Sequence, residues 1–245
     1  MPLRSAVAAL LVLLAGACAT SGAGPPAQAA AHAGKRQLPN DIRWVRTSAE
    51  YRALTRQAYS IAGDRLPDLA RGLAAGAWAV ILDADETVLD NSEYQRRLAV
   101  ADSAFSQRSW TEWVNERAAT SVAGAPEFTA RVHALGGRVV IVTNRADAVC
   151  DATRENLRSA EIATDLVLCQ AAGESDKNPR FQRVQNGTAA PGMPALTVVE
   201  WVGDNILDFP ALAQNIRSDS TALGAFGKKF FILPNPMYGS WEQLH

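Results

Sequence analysis

The chain has 245 residues, 48% of them hydrophobic and 20% charged, a balance that excludes a disordered chain and a polytopic membrane protein. Such a length suits one well-buried domain, or one domain with an appended subdomain. The formal charge of -1 gives no reason to expect the basic stripe that binds nucleic acid, so no nucleic-acid polymer is expected as a partner.

The first 17 residues are of a different kind. Arg4 precedes an apolar run over residues 6–17, and Cys18 follows. The run is short for a bilayer span and ends in small residues, so residues 1–17 read as a secretory signal. The stretch Leu13-Leu14-Ala15-Gly16-Ala17-Cys18 resembles a bacterial lipoprotein signal, in which the cysteine is lipidated and becomes the new N-terminus. Ala15 departs from that pattern, in which leucine is commonest there, and a plain secretory signal cleaved nearby is the alternative. Residues 19–39 are rich in Ala, Gly and Pro and lack apolar periodicity, so residues 18–39 are expected to be an anchor cysteine and a flexible tether.

The folded domain is expected over residues 40–245. Thr47 with Glu50 makes a capping-box pattern ahead of Tyr51, Leu54, Ala58 and Ile61 at helical spacing, and Pro67 is expected to interrupt or restart that helix. Residues 77–82 form a short apolar run that ends abruptly in acidic residues. Similar runs recur at 138–142, 165–168, 196–202 and 229–233, each rich in Val, Ile, Leu or Phe, as expected of strands buried on both faces. Helical patterns at 126–135 and 147–160 separate some of them. The alternation predicts an α/β fold with a parallel five-stranded sheet and right-handed crossovers. The segment of about 90–124 is too long for a simple crossover and carries a second capping-box pattern at Ser109 and Glu112, so it reads as a small helical cap.

Two cysteines follow Cys18. Cys150 falls in the first turn of the helix after the second strand, and Cys169 at the carboxyl end of the third. If those strands pair, the two are neighbours at one sheet edge, and export permits oxidation, so a disulfide is expected. Two small buried thiols are the alternative.

Ligands of an open parallel sheet bind outside the carboxyl ends of its strands. The chemistry-bearing residues fall there: Asp83-Ala84-Asp85-Glu86-Thr87 after the first strand, Thr143-Asn144-Arg145 after the second, and Gly203-Asp204-Asn205 with Asp208 after the fourth. Lys177 lies in the connection after the third. Asp83, Asp85, Asp204 and Asp208 would bring up to four negative charges together. Two unit charges at about 4 Å repel by roughly 4 kcal/mol at an effective dielectric near 20, so the cluster requires a cation or raised pKa values. Hard oxygen ligands with no imidazole or thiolate favour magnesium. His32, His133 and His245 lie in the tether, a helix and the C-terminus, which argues against zinc and against a phosphohistidine. There is no G-x-S-x-G elbow and no G-x-x-x-x-G-K-[ST] loop.

The run ILDADETVLDN resembles the first motif of haloacid dehalogenase (HAD) superfamily phosphatases, and IVTNR, Lys177 and VGDNILDF are similar to the second, third and fourth, in order. SWTEWVNERA and the closing FFILPNPMYGSWE, with the lipoprotein-like leader, resemble the narrower class C acid phosphatases. These are outer-membrane lipoproteins that dephosphorylate nucleoside monophosphates. The resemblance implies a HAD-like fold and a magnesium-dependent acid phosphatase or 5'-nucleotidase acting through an aspartyl-phosphate. Asp83 is then the nucleophile and Asp85 the general acid and base, with Mg2+ held by Asp83, Asp204 and the main chain of Asp85. Asp208 holds a metal-bound water or Lys177, while Thr143, the Asn144 amide and Lys177 receive the phosphoryl group. Trp110 and Tyr238 are expected to sandwich a nucleobase. The partners implied are small phosphomonoesters and the outer membrane, reached through Cys18; a homodimer is left open. A phosphatase for sugar phosphates or other small esters and a binding lipoprotein with a vestigial site are the alternatives. A response-regulator receiver is disfavoured, because it lacks both the second aspartate and a cap of this size.

Overall fold

The computed structural model describes residues 37–243. The expected signal, Cys18 and the tether up to residue 36 lie outside the described residues, as do His32 and His245.

The domain opens with two helices, α1 (Asn40–Thr47) and α2 (Ala49–Leu69). Thr47 closes the first, its hydroxyl donating to the Arg43 carbonyl at 2.7 Å. Ser48, in extended conformation, caps the second by accepting the Tyr51 N–H at 3.1 Å. The cap therefore sits one residue beyond the expected Thr47, because the two helices share that junction. Pro67 does not interrupt α2. It lies in the last turn, where its missing N–H forfeits one backbone bond rather than breaking the helix.

After β1 (Trp78–Leu82) the chain forms a cap from β2 (Leu89–Asp90), α3 (Ser92–Ala101), α4 (Gln107–Glu116) and β3 (Thr120–Ser121), with β2 and β3 paired antiparallel. Ser106, not Ser109, caps α4 by accepting the Ser109 N–H at 3.1 Å. Glu112 turns instead to Arg108, 3.0 Å away. There follow α5 (Ala125–Ala134), β4 (Arg138–Ala146), α6 (Cys150–Ser159), β5 (Leu166–Gln170), α7 (Asn178–Gln185), β6 (Thr197–Gly203), the short α8 (Ser220–Leu223) and β7 (Phe230–Ile232).

The five long-range strands form one parallel sheet in the order β5-β4-β1-β6-β7, the five-stranded sheet that the alternating pattern predicts. Alternate residues of the central strands face opposite cores. Val80, Leu82, Val139 and Ile141 pack with Tyr59, Leu66, Phe128 and Leu157 of α2, α5 and α6. Ala79, Ile81, Val140 and Val142 pack on the other side with Phe181, Val184, Phe209 and Phe230. Burial on both faces is why these strands read as unbroken apolar runs. The chain leaves β1 toward β4 and β5 and then returns to β6 on the other flank, so the order reverses at β1 and opens a crevice at its carboxyl end.

Cys150 and Cys169 are joined in a disulfide, their Cα atoms 5.9 Å apart, tying the start of α6 to β5.

Candidate active site

Of the residues singled out by sequence, Asp83, Lys177, Asp204 and Asp208 meet at the carboxyl end of β1. Asp83 extends the ladder, its N–H donating to the Val202 carbonyl at 3.0 Å, so its side chain emerges beside the end of β6. The chain then doubles back. Glu86 adopts a positive φ of 54°, unusual for a residue with a side chain, and its N–H donates to the Leu89 carbonyl at 2.8 Å. Tyr59 of α2 anchors this turn from below by donating to the Thr87 carbonyl at 2.7 Å.

Lys177 precedes α7 and points between two carboxylates, with Nζ 2.5 Å from Asp83 Oδ1 and 2.7 Å from Asp208 Oδ1. All three side chains are buried. The other oxygen of Asp208 accepts the Asn205 N–H at 2.9 Å, which fixes that carboxylate toward the lysine. Gly203 is required for this approach, since a Cβ there would lie 2.3 Å from the Asp208 side chain. Asp204 is steadied by Thr87 at 3.2 Å and Asn235 at 2.8 Å. One carboxylate oxygen from each of Asp83, Asp204 and Asp208 lies within 4.8 Å of the others.

Charge bookkeeping separates the four aspartates. Asp85 turns away from the cluster to the guanidinium of Arg145, 2.7 Å distant and fully buried. Asp83, Asp204 and Asp208 are left with Lys177 alone, an excess of negative charge. Burial is the chief cause that pushes the Asp83 carboxyl up to about 7; Lys177 opposes the shift, while Asp208 and Asp85 add to it. Asp204 is raised well above the carboxylate range, first by burial and then by Asp208 and Asp83. Burial by itself would lower the Lys177 ammonium, but Asp208 and Asp83 together hold it above its ordinary value. Three crowded carboxylates with an all-oxygen donor set are a fit for a hard divalent cation, which would occupy the place otherwise taken by protons.

The phosphate-binding candidates come from β4, which runs through Thr143, Asn144 and Arg145 instead of ending before them. Its register against β5 shifts between Val142 and Ala146, so this stretch departs from regular pairing beside the crevice. Thr143 is buried, and its Oγ1 accepts the Arg145 N–H at 3.1 Å, leaving the hydroxyl hydrogen free to donate elsewhere. The Asn144 side chain is already engaged, accepting from Arg180 at 2.5 Å and donating to the Ser175 carbonyl at 3.0 Å. Its main-chain N–H is the expected anion donor.

The aromatic candidates differ in setting. Trp113 is buried and donates its N–H to Asn91 at 2.8 Å, so it belongs to the scaffold. Trp110 is half-buried, edge-on to Tyr94 at 5.1 Å, with the Arg145 guanidinium 5.5 Å from its ring centroid. Tyr238 is half-buried in the segment after β7. His133 lies on α5, paired with Asp165 at 2.7 Å, at the other end of the strands.

Sequence reasoning gave no role to Arg145, Asn91, Arg180 or Asn235, although Arg145, Asn91 and Asn235 stand inside the quoted motifs. The usable signal was a basic residue among acidic strand ends, which must find a carboxylate when it is buried.

The profile of the HAD superfamily, subfamily IIIB (Acid phosphatase), matches residues 10–241. The chain is similar to the class C acid phosphatase from Bacillus anthracis in its tungstate-bound structure, with 29% identity, a TM-score of 0.73, and 82% of this chain and 85% of that one covered. A second structure of that enzyme matches at 30% identity and a TM-score of 0.72, with the same coverage.

Proposed function

The chain belongs to the acid phosphatases of HAD subfamily IIIB, and on that premise we propose that it is a magnesium-dependent phosphomonoesterase acting through an aspartyl-phosphate on Asp83. The observation that carries the reading is Lys177 held between Asp83 and Asp208, with Asp204 alongside. Asp83 gives one oxygen to the lysine and keeps the other for attack.

In the first step that oxygen bonds to phosphorus while the phosphorus–alkoxide bond breaks, and Asp85 delivers its proton to the departing oxygen. In the second, water attacks the aspartyl-phosphate, Asp85 takes up its proton, and the Asp83 carboxylate is released with inorganic phosphate. Lys177, the Thr143 hydroxyl and the Asn144 N–H take the phosphoryl oxygens, preorganised donors that gain strength in a water-poor site. Mg2+, held by Asp83, Asp204 and the main chain of Asp85, would neutralise phosphoryl charge. Tungstate, bound in the Bacillus anthracis enzyme, is a tetrahedral oxyanion like phosphate, which supports an oxyanion site in this fold.

The substrate class is proposed from two aromatic residues, one in the cap and one after β7. Trp110 and Tyr238 flank a nucleobase, a stacking contact worth roughly 1–3 kcal/mol that any base can make, so nucleoside monophosphates are the proposed substrates. Trp110 already packs on Tyr94 and Arg145, which favours as second reading a broader phosphatase of small esters. The outer membrane, reached through lipidated Cys18, is the proposed location.

Phosphate release from a panel of nucleotides and sugar phosphates, with and without Mg2+, tests the assignment. Nucleotides should lead the panel, and Trp110→Ala should narrow that lead. Activity indifferent to chelation, or substantial turnover by Asp83→Asn, would overturn the mechanism. Detergent-phase partitioning that is lost in Cys18→Ser supports the anchor, and equal partitioning of both forms refutes it.

A further inference from the structure

We propose that Arg145 is a positioning residue for proton transfer: with Asn91 it commits one oxygen of Asp85 to the protein and leaves the other to face the ester oxygen of the substrate. The proposal rests on the reading of Asp85 as general acid and base.

The three hydrogen bonds found at the Asp85 carboxylate all converge on Oδ1. Arg145 donates from Nε at 2.9 Å and from Nη2 at 2.7 Å, and Asn91 donates from Nδ2 at 2.8 Å. An oxygen facing three N–H groups has no room for a proton, so the proton to be transferred sits on Oδ2. A carboxylate hung from a single donor would swing about its terminal torsion, which has broad wells. Held on one edge by three donors, it presents a fixed lone-pair direction, and proton transfer depends on that geometry.

The two holders are themselves fixed, and from the cap. The Arg145 guanidinium is fully buried beneath the Trp110 ring, and its Nη2 also reaches Asn91 Oδ1 at 3.1 Å. The same Asn91 oxygen accepts the Trp113 N–H at 2.8 Å. Both tryptophans belong to α4. One cap helix thus braces both donors of the acid, and the cap acts on the chemistry as well as on the substrate. Arginine suits the task where lysine would not, because its planar fork offers two donors in fixed relation.

A structural ion pair would have the same distances, so the test must read proton transfer. An aryl phosphate expels a stable phenolate and needs little help from an acid, whereas an alkyl phosphate needs its leaving oxygen protonated. Steady-state kinetics of Arg145→Lys on both esters reports this through kcat/KM, which covers the steps up to expulsion of the alcohol. We expect kcat/KM to fall about a hundredfold for the alkyl ester and no more than about fivefold for the aryl ester. Inhibition by inorganic phosphate should hold within about threefold, because the phosphoryl site is untouched. An equal loss on the two esters, or a loss matched by weakened phosphate inhibition, overturns the proposal. Asp85→Asn serves as the reference. If it lacks the leaving-group dependence, the reading of Asp85 fails first; if it has it and Arg145→Lys lacks it, the positioning role alone fails. Should Arg145→Lys not fold, Trp113→Phe removes the N–H that Asn91 accepts, together with part of the buried ring, and leaves Arg145 in place. It should show a milder loss confined to the alkyl ester, and a uniform loss or none counts against the proposal.

Discussion

Lys177 illustrates how a single buried charge can serve both stability and chemistry. It neutralises part of a three-carboxylate cluster that burial makes costly. Lys177→Met should therefore lower stability by about 3–5 kcal/mol in the presence of a chelator, since it strands carboxylates without their partner. Mg2+ should restore part of that loss without restoring turnover, because the lysine is also proposed to contact the transferring group; full recovery of activity would contradict this. Glu200 of β6 is a buried ionisable group with no role in the site. Neither of its carboxylate oxygens has a hydrogen-bond partner, and burial pushes it up to about 9, with Arg65 opposing the shift. The folded chain then keeps a proton that the unfolded chain releases above about pH 4.3. Its contribution to stability is intact below that value and is lost progressively as pH rises toward 9. Glu200→Gln should melt at a higher temperature than the parent at pH 8 and close to it at pH 4.5, and a gap that does not widen with pH would refute the assignment.

At the scale of elements, the cap and the disulfide do separate work. The cap leans on the site through α4, whose Trp113 and Trp110 reach Asn91 and Arg145. The disulfide fastens α6 to β5 at the edge of the sheet, next to the β4 segment that carries Thr143 and Arg145. It closes a loop spanning 19 residues, which in the chain-entropy account stabilises the fold by roughly 3 kcal/mol. Cys150→Ser with Cys169→Ser should reduce stability by about that amount in denaturant titrations while leaving kcat within about threefold, because neither cysteine contacts the reacting groups. Two free thiols titrated in the unreduced, denatured residues 19–245, which lack Cys18, would remove the premise.

Across the whole molecule, the reversal of strand order at β1 is what gathers the acidic strand ends. The chain concentrates Asp83, Asp204 and Asp208 there at an electrostatic cost that a bound divalent cation would offset. Stability should then be linked to metal. At Mg2+ a hundredfold above its dissociation constant, unfolding should cost about 2.7 kcal/mol more than in chelator. Asp204→Asn should lose most of this gain, and a melting temperature indifferent to Mg2+ in the parent would argue against a bound cation.

By itself the sequence determined the sheet, its five strands, and the positions of Asp83, Asp85, Asp204, Asp208 and Lys177 at the strand ends. These are local readings: apolar runs buried on both faces, each followed by a polar turn, carry their structure in their own composition. It did not place the helix caps, because Ser48 and Ser106 compete with equally suitable neighbours and the packing of adjacent helices decides between them. Nor did it reveal that Asp85 leaves the acidic cluster. Arg145 lies 60 residues away on another strand, and their pairing depends on which side chains the β4 register shift and the cap helix bring together. The tertiary structure alone decided that three of the four aspartates crowd together around Lys177 while Asp85 pairs with Arg145, because charge partners are chosen by distance in space and not along the chain.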